Sequence, residues 1–393
     1  MFNGSPFVVG PPSDSSDGLV PCGLKPFPFE SHDMREVAEL TRDLVSIPSH
    51  EDETAAGDAI EAWLREETDA EVTRDEAGSV IARKGDDASE TLALVGHHDV
   101  VPPADEQVDD AGEYVVSERD GRLYGRGTAD MKGSVAAAML AFRDADPACE
   151  LVFASFVGEE TDGRGAETAI ANGLVPDYAI VGEGSTDYSA EGVTDVVVAH
   201  RGRRGSTISA SGEAAHASEP EAGVNAVYRA CDAVDLIREM EPPATTVLGH
   251  DVEGSLAVTG IHGGETWNVV PESCTVHVDE RTVPGEYAPL ERVTDAEGVE
   301  WTVDSDMPPM ACDDEAFADL VLSAARTAQD GDPQLTTKPH ATDAGRLAAA
   351  GTTCVVCGAS EPGEAHTKSE SVGVDVLDRC YRIYLNAAES LAA

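Results

Sequence analysis

The sequence predicts an α/β protein: a mostly parallel sheet flanked by helices, interrupted by a smaller α+β insert. Three observations predict it. Short apolar runs at Leu92–Val95, Leu151–Val157 and Tyr178–Val181 alternate with segments of helical period, the pattern of strands buried on both faces. Between about 187 and 298 the character changes to strands whose apolar residues alternate. A chain of 393 residues is also too long for one ordinary core.

In chain order, Val37, Leu40, Leu44 and Ile47 recur at helical spacing, and Pro48 stops that helix. Ile60, Trp63 and Leu64 mark a second helix, and Met131 to Phe142, small and apolar, a third. Within the insert, 195–200, 207–210, 255–259 and 274–278 read as strands and 222–240 as a helix. The α/β pattern then resumes with helices at 315–329 and 343–350, a strand at Thr353 and a last helix over 374–391. The expected organisation is a catalytic body of 34–186 and 299–393, with 187–298 inserted. Residues 1–33, rich in Pro, Gly and Ser and without period, read as a flexible extension or as sequence upstream of a start at Met34.

The charge count is 26 basic against 75 acidic residues, a net of −49, and only five residues are lysines. A nucleic-acid partner is excluded, because phosphate binding needs a basic face. An acidic, lysine-poor surface suits a salt-rich cytoplasm. At molar salt the Debye length is about 3 Å, so the charge steers little and says little about substrate. No run approaches the roughly 18 apolar residues of a membrane helix, and the N-terminus has no signal-peptide pattern. A cytoplasmic protein without a membrane partner is expected. Cys354 and Cys357 form a C-x-x-C, which reads either as a redox pair or, more simply, as two thiols of a buried strand.

Acids and imidazoles cluster at the ends of the predicted strands, where open α/β sheets place their sites. In a strand His97 and Asp99 share a face, with His98 on the other. A carboxylate beside an imidazole fixes its tautomer, so His97 is the candidate metal ligand, Asp99 its partner and His98 the rival ligand. Asp130 follows a glycine-rich turn and precedes a helix. It suits either a helix N-cap or, having two oxygens, a bridge between cations about 3.5–4 Å apart. Glu159 and Glu160 end a strand with diverging side chains, so one can bind metal while the other faces substrate. Glu183 ends the next strand.

Together these segments, with Gly125 to Gly133 (G-R-G-x-x-D-x-K-G), Gly158-Glu159-Glu160, Gly182-Glu183-Gly184 and His366 four positions before Glu370, resemble the M20 family of dinuclear metallohydrolases from about Met34 onward. The family often has Pro where this chain has Gly184, and Asn where it has Ser369. The resemblance implies a catalytic domain interrupted by a lid that mediates homodimerisation. It also implies two divalent cations, one held by His97, Asp130 and Glu183, the other by Asp130, Glu160 and His366. Zinc suits such donors, as do cobalt and manganese. By the same resemblance Glu159 is the general base that activates water, and Asp99 belongs to the catalytic set.

His216, in Gly212–Ser218, matches a lid histidine that reaches a partner's site and stabilises the oxyanion. Asn268 and Arg281 match lid positions that hold a substrate carboxylate. Arg203 and Arg204, within Arg201–Ser206, resemble the G-R-R-G-S of succinyl-diaminopimelate desuccinylases. The implied activity is hydrolysis of the amide of a small N-acyl amino acid, with N-succinyl-diaminopimelate of lysine biosynthesis leading. Acetylornithine deacetylase, a di- or tripeptidase or carboxypeptidase, and a metal-binding protein without turnover are the alternatives.

Overall fold

The computed structural model of the protein describes residues 33–85 and 90–391; the extension expected over 1–33 therefore lies, but for its last residue, outside the described residues. The centre is a mixed sheet of nine strands among the described residues. Its order is Glu71–Arg74, Val80–Lys84, Glu150–Phe156, Thr91–His97, Tyr178–Val181, Thr353–Val356, Val196–His200 and Met310–Ala311, with Leu335–Lys338 also paired to Val196–His200. Four neighbours in its middle, from Glu150–Phe156 to Thr353–Val356, run parallel. Their carboxyl ends share one edge.

Alternation within a strand divides the core. Leu92 and Leu94 pack into a cluster with the helices Asp33–Val45, Lys132–Asp144, Glu315–Ala328 and Val374–Ser390. Ala93 and Val95 face the opposite side, against Arg164–Ala171 and Asp343–Ala349. Both faces are covered, which is why these strands read as unbroken apolar runs. The helix Lys132–Asp144 is buried from Lys132 through Phe142. The Lys132 ammonium enters this core by donating to the carbonyls of Leu44 (3.0 Å) and Ile47 (2.6 Å), at the end of the first helix.

The smaller unit is a four-stranded antiparallel sheet, ordered Ser255–Gly263, Ser273–Arg281, Arg203–Ser211 and Val299–Met307. Helix Ala226–Arg238, capped by the Asn225 side chain, covers one face; Ala226, Ala230, Ala233 and Ile237 meet Ile208, Ala210, Val276 and Val278. The expected limits of the insert, 187 and 298, shift accordingly. Val196–His200, buried at every position, belongs to the large sheet, whereas Val299–Met307, mostly exposed, pairs with Arg203–Ser211 in the small one. Cys354, within strand Thr353–Val356, and Cys357, just after it, are free and buried. Among the described residues no helix is long and apolar enough to cross a membrane.

The strand pair behind the site is closely apposed at Gly358, where an added Cβ would lie 2.0 Å from the Gly182 carbonyl oxygen and 2.6 Å from that of Glu183. Gly358→Ala is expected to cost about 1–3 kcal/mol, as overpacking does, measured by urea unfolding. A loss indistinguishable from zero would mean that this apposition is loose.

Candidate metal centre

Three parallel strands deliver their following residues to one place. Thr91–His97 ends in His97, Glu150–Phe156 leads to Glu159 and Glu160, and Tyr178–Val181 leads to Glu183. The Gly125–Asp130 turn brings Asp130 from in front of its helix, and the 361–370 loop brings His366. All of them but the buried His97 line part of a 490 Å³ cavity, together with Tyr188, Arg203, Lys338 and His340.

The two oxygens of Asp130 serve different imidazoles. Oδ1 lies 3.2 Å from His97 Nε2, and Oδ2 lies 3.2 Å from His366 Nε2. His97 Nε2 is also 3.4 Å from Glu183 Oε1, and His366 Nε2 is 3.0 Å from the Glu160 carboxylate. Potential donor atoms of His97, Asp130 and Glu160 lie within 4.8 Å of one another, as do those of His97, Glu159 and Glu183. Glu159 thus stands beside the His97–Glu183 pair. His98 points the other way: its Nδ1 meets Ser155 Oγ at 2.9 Å, and burial pushes its pKa down to about 3. It is not part of the centre.

Burial opposes charge throughout this site, and the partners decide the outcome. The His97 ring holds its proton well above the usual range, because hydrogen bonds with Asp130, Asp99 and Glu183 outweigh burial. His366, bonded to Asp130 and Glu160, is pushed up to about 10. Asp130 is held well below the carboxylate range by the two histidines, against burial. Glu159 moves the other way. Burial, then the negative charges of Glu183, Asp343 and Asp130, raise it well above an ordinary glutamate, despite the opposing charge of His97.

Asp99 does more than the tautomer role expected of it. The His97 Nδ1 is nearer the Asp99 carbonyl oxygen (3.0 Å) than its carboxylate (3.4 Å). The Asp99 carboxylate instead accepts the backbone N–H of Glu159 (3.2 Å) and of Glu160 (3.0 Å), fixing the turn that carries both acids. Glu370 performs the corresponding task for Asp130. Its Oε1 accepts the N–H groups of Gly127, Ala129 and Asp130 at 3.0–3.1 Å, and its Oε2 meets Arg126.

Other expected residues fall elsewhere. His216 is exposed in the two-stranded Ala215–His216/Val269–Val270 ladder of the smaller unit, its Nδ1 2.7 Å from Ser218 Oγ, and it does not line this cavity. Asn268 is exposed beside it, its carbonyl accepting from the Ala217 N–H. Arg281 is tied to Asp279 at 2.8 Å. Arg203 lines the cavity and bonds the other oxygen of Asp279. Arg204 is corrected: adjacent in the strand, it turns to the opposite face, pairs with fully buried Glu280 at 2.6 Å and lies over Tyr287 and Trp301. Sequence reasoning missed Lys338, whose ammonium lies 3.2 Å from Glu183 Oε2 and donates to the Gly184 carbonyl at 3.0 Å. A lysine in a chain with few of them was the available signal.

The profile described as peptidase family M20/M25/M40 matches residues 93–390. The chain belongs to this family. Its M20 fold is similar to that of aminopeptidase PepT from Bacillus cereus, with a TM-score of 0.75 at 19% identity over 90% of this chain and 98% of that one. It is also similar to a Staphylococcus aureus tripeptidase (TM-score 0.68, 21% identity, 91% and 98% covered). A dinuclear metal-binding M20 peptidase from Bacillus subtilis gives a TM-score of 0.68 at 17% identity, with 92% and 98% covered. The chain is accordingly an M20 metallohydrolase acting on amide bonds.

The residues present fit two cations. Donors of the imidazole and carboxylate type converge, those of His97, Asp130 and Glu160, and of His97, Glu159 and Glu183, lying within 4.8 Å of one another. A cation binding at His366 must displace the ring's proton, so apparent metal affinity rises with pH through neutrality toward about 10 and falls on acidification. Zinc titration by calorimetry at pH 7, in buffers of different ionisation enthalpy, is expected to release at least one proton per chain. Release of none would remove the histidines from the ligand set.

Proposed function

We propose that this M20 enzyme hydrolyses the amide of a small N-acyl amino acid, with N-succinyl-diaminopimelate as the first substrate to test, using two zinc ions. The observation that carries the reading is the turning of the two Asp130 oxygens toward two different imidazoles, with Glu159 beside them. His97, Asp130 and Glu183 would hold one ion; Asp130, Glu160 and His366 the other. When bound, such ions polarise the amide carbonyl and lower the pKa of water toward about 7. Glu159 takes the proton of the attacking water and delivers it to the leaving amine nitrogen. Asp99 holds the backbone of Glu159, so the carboxylate is aimed before substrate arrives.

Arg203, on the cavity wall, supports a substrate with an anionic group. Arg281 and Asn268 are the groups for the carboxylate of the amine half. A second reading, a short-peptide peptidase, is favoured by the likeness to the Bacillus cereus aminopeptidase and the Staphylococcus aureus tripeptidase across 98% of each. Acyl-amino acids assayed beside di- and tripeptides separate the two. The acidic, lysine-poor composition is the ground for assaying in high salt.

The smaller unit serves, in this reading, as the lid of a homodimer in which His216 reaches the partner's cavity and stabilises the oxyanion. Support comes from its edge strand Ser255–Gly263, with Ile261 exposed, and from the neighbouring fully exposed Trp267. One oxyanion donor is worth about 2.7–4 kcal/mol.

Glu159→Gln is expected to keep its metal, by elemental analysis, while turnover falls by about 10²–10⁴-fold; substantial remaining activity would displace Glu159 as base. His216→Ala and Glu159→Gln proteins, each inactive, are expected to regain about a quarter of wild-type activity when dissociated, mixed and reassociated, through random reassortment of a two-fold dimer. No recovery in verified mixed dimers would place His216 within its own chain's chemistry or outside it altogether.

A further inference from the structure

Lys338 is a buried ammonium on the wall of the catalytic cavity, 7% exposed, at the end of strand Leu335–Lys338. Its hydrogen bonds to Glu183 Oε2 and the Gly184 carbonyl use two of its three hydrogens. Glu183 is in turn engaged through its other oxygen with His97. Glu183 is thus shared between His97 and Lys338, and the lysine keeps a third hydrogen. The surroundings add positive charge. Arg201 donates through Nε to the Pro339 carbonyl (3.2 Å) and, among the described residues, has no carboxylate within ion-pair distance. Arg281 and Arg201 both lie near enough to His340 to oppose its protonation, as does Lys338. His340 and Tyr188 line the same cavity. Lys338, Arg203 and His340 line the cavity beside the carboxylates of Asp130, Glu159, Glu160, Glu183 and Glu361.

We propose that Lys338, with His340 and Tyr188, forms an anion-accepting subsite for a carboxylate on the acyl half of the substrate. The proposal rests on the amide-hydrolase reading, in which Arg281 and Asn268 of the smaller unit take the carboxylate of the amine half. In that reading the acyl half falls to Lys338, which belongs to the large sheet and lines the cavity beside Glu183. Its third hydrogen, the Tyr188 hydroxyl and a ring N–H of His340 are donors suited to a carboxylate. Such a group comes from a succinyl-type acyl chain or from an acidic N-terminal residue of a dipeptide.

Two substrate pairs test this with the zinc-loaded full chain: N-succinyl against N-butanoyl amino acids, and α-glutamyl against α-glutaminyl dipeptides. Wild type is expected to favour the acidic member of one pair by at least about tenfold in kcat/KM, and that pair identifies the source of the carboxylate. Lys338→Met is expected to erase the preference, and Lys338→Arg to keep part of it. Metal content, measured on every variant, guards against an indirect effect. An equal preference in wild type and Lys338→Met overturns the proposal. So does loss of zinc with a parallel fall on both members, which would leave Lys338 as a group that orients Glu183. Should wild type cleave no amide, the hydrolase reading fails by itself. The subsite is then judged by calorimetry, succinate against butanoate, where the preference for succinate must again depend on Lys338.

Discussion

One carboxylate holds Asp130, whose two oxygens meet two different imidazoles, in place. Glu370, 1% exposed, accepts three consecutive-turn N–H groups, those of Gly127, Ala129 and Asp130, and meets Arg126 through its other oxygen. The arrangement closes the glycine-rich turn around a fixed charge and satisfies donors that would otherwise be orphaned in the protein interior. It also joins distant stretches of chain, because Glu370 lies on the loop that carries His366. Asp130 and His366 are thus placed relative to each other by a residue that is not itself a candidate ligand. Burial pushes the Glu370 pKa up to about 7, against the pull of Arg126 and the backbone donors. A buried pair of this kind contributes little net stability, but removing one partner typically costs about 3–5 kcal/mol. Its effect here is on geometry.

Asp99 works by the same principle on the other side of the centre. Its oxygens take the N–H groups of Glu159 and Glu160 while its neighbour His97 supplies an imidazole. Two adjacent acids at a strand end would otherwise repel and swing apart. With the backbone of both fixed, side-chain direction alone decides that Glu160 meets His366 and Glu159 faces the cavity. Because Asp99 holds backbone rather than side chains, the carboxylates of Glu159 and Glu160 stay free for other partners.

Much of this was legible from the chain. Strands buried on both faces announce themselves as apolar runs, and an acid or imidazole directly after such a run must emerge at the sheet edge, as His97, Glu159 and Glu183 do. The failures have physical reasons. Val196–His200 was placed in the insert because it precedes the alternating strands, although its continuous burial marks it as a strand of the large sheet. Arg203 and Arg204 were grouped as one basic feature, yet residues i and i+1 of a strand face opposite ways, and only Arg203 reaches the cavity. The anchoring by Glu370 was invisible because it joins positions more than two hundred residues apart through backbone groups, which carry no side-chain signature.

The two halves of the centre are not equivalent, and the fold explains why. His97 comes from the middle of a sheet, 1% exposed, and its neighbours Asp99 and Glu183 are buried and held by further partners. His366 comes from a loop, its side chain half exposed and its backbone at φ +64°. A non-glycine residue in that conformation costs of order 1–3 kcal/mol and persists where its surroundings over-determine it. Here the determining contacts are Asp130 and Glu160, together with the Glu370 anchor four residues on. The sheet side meets one oxygen of Asp130 through His97, and the loop side meets the other through His366.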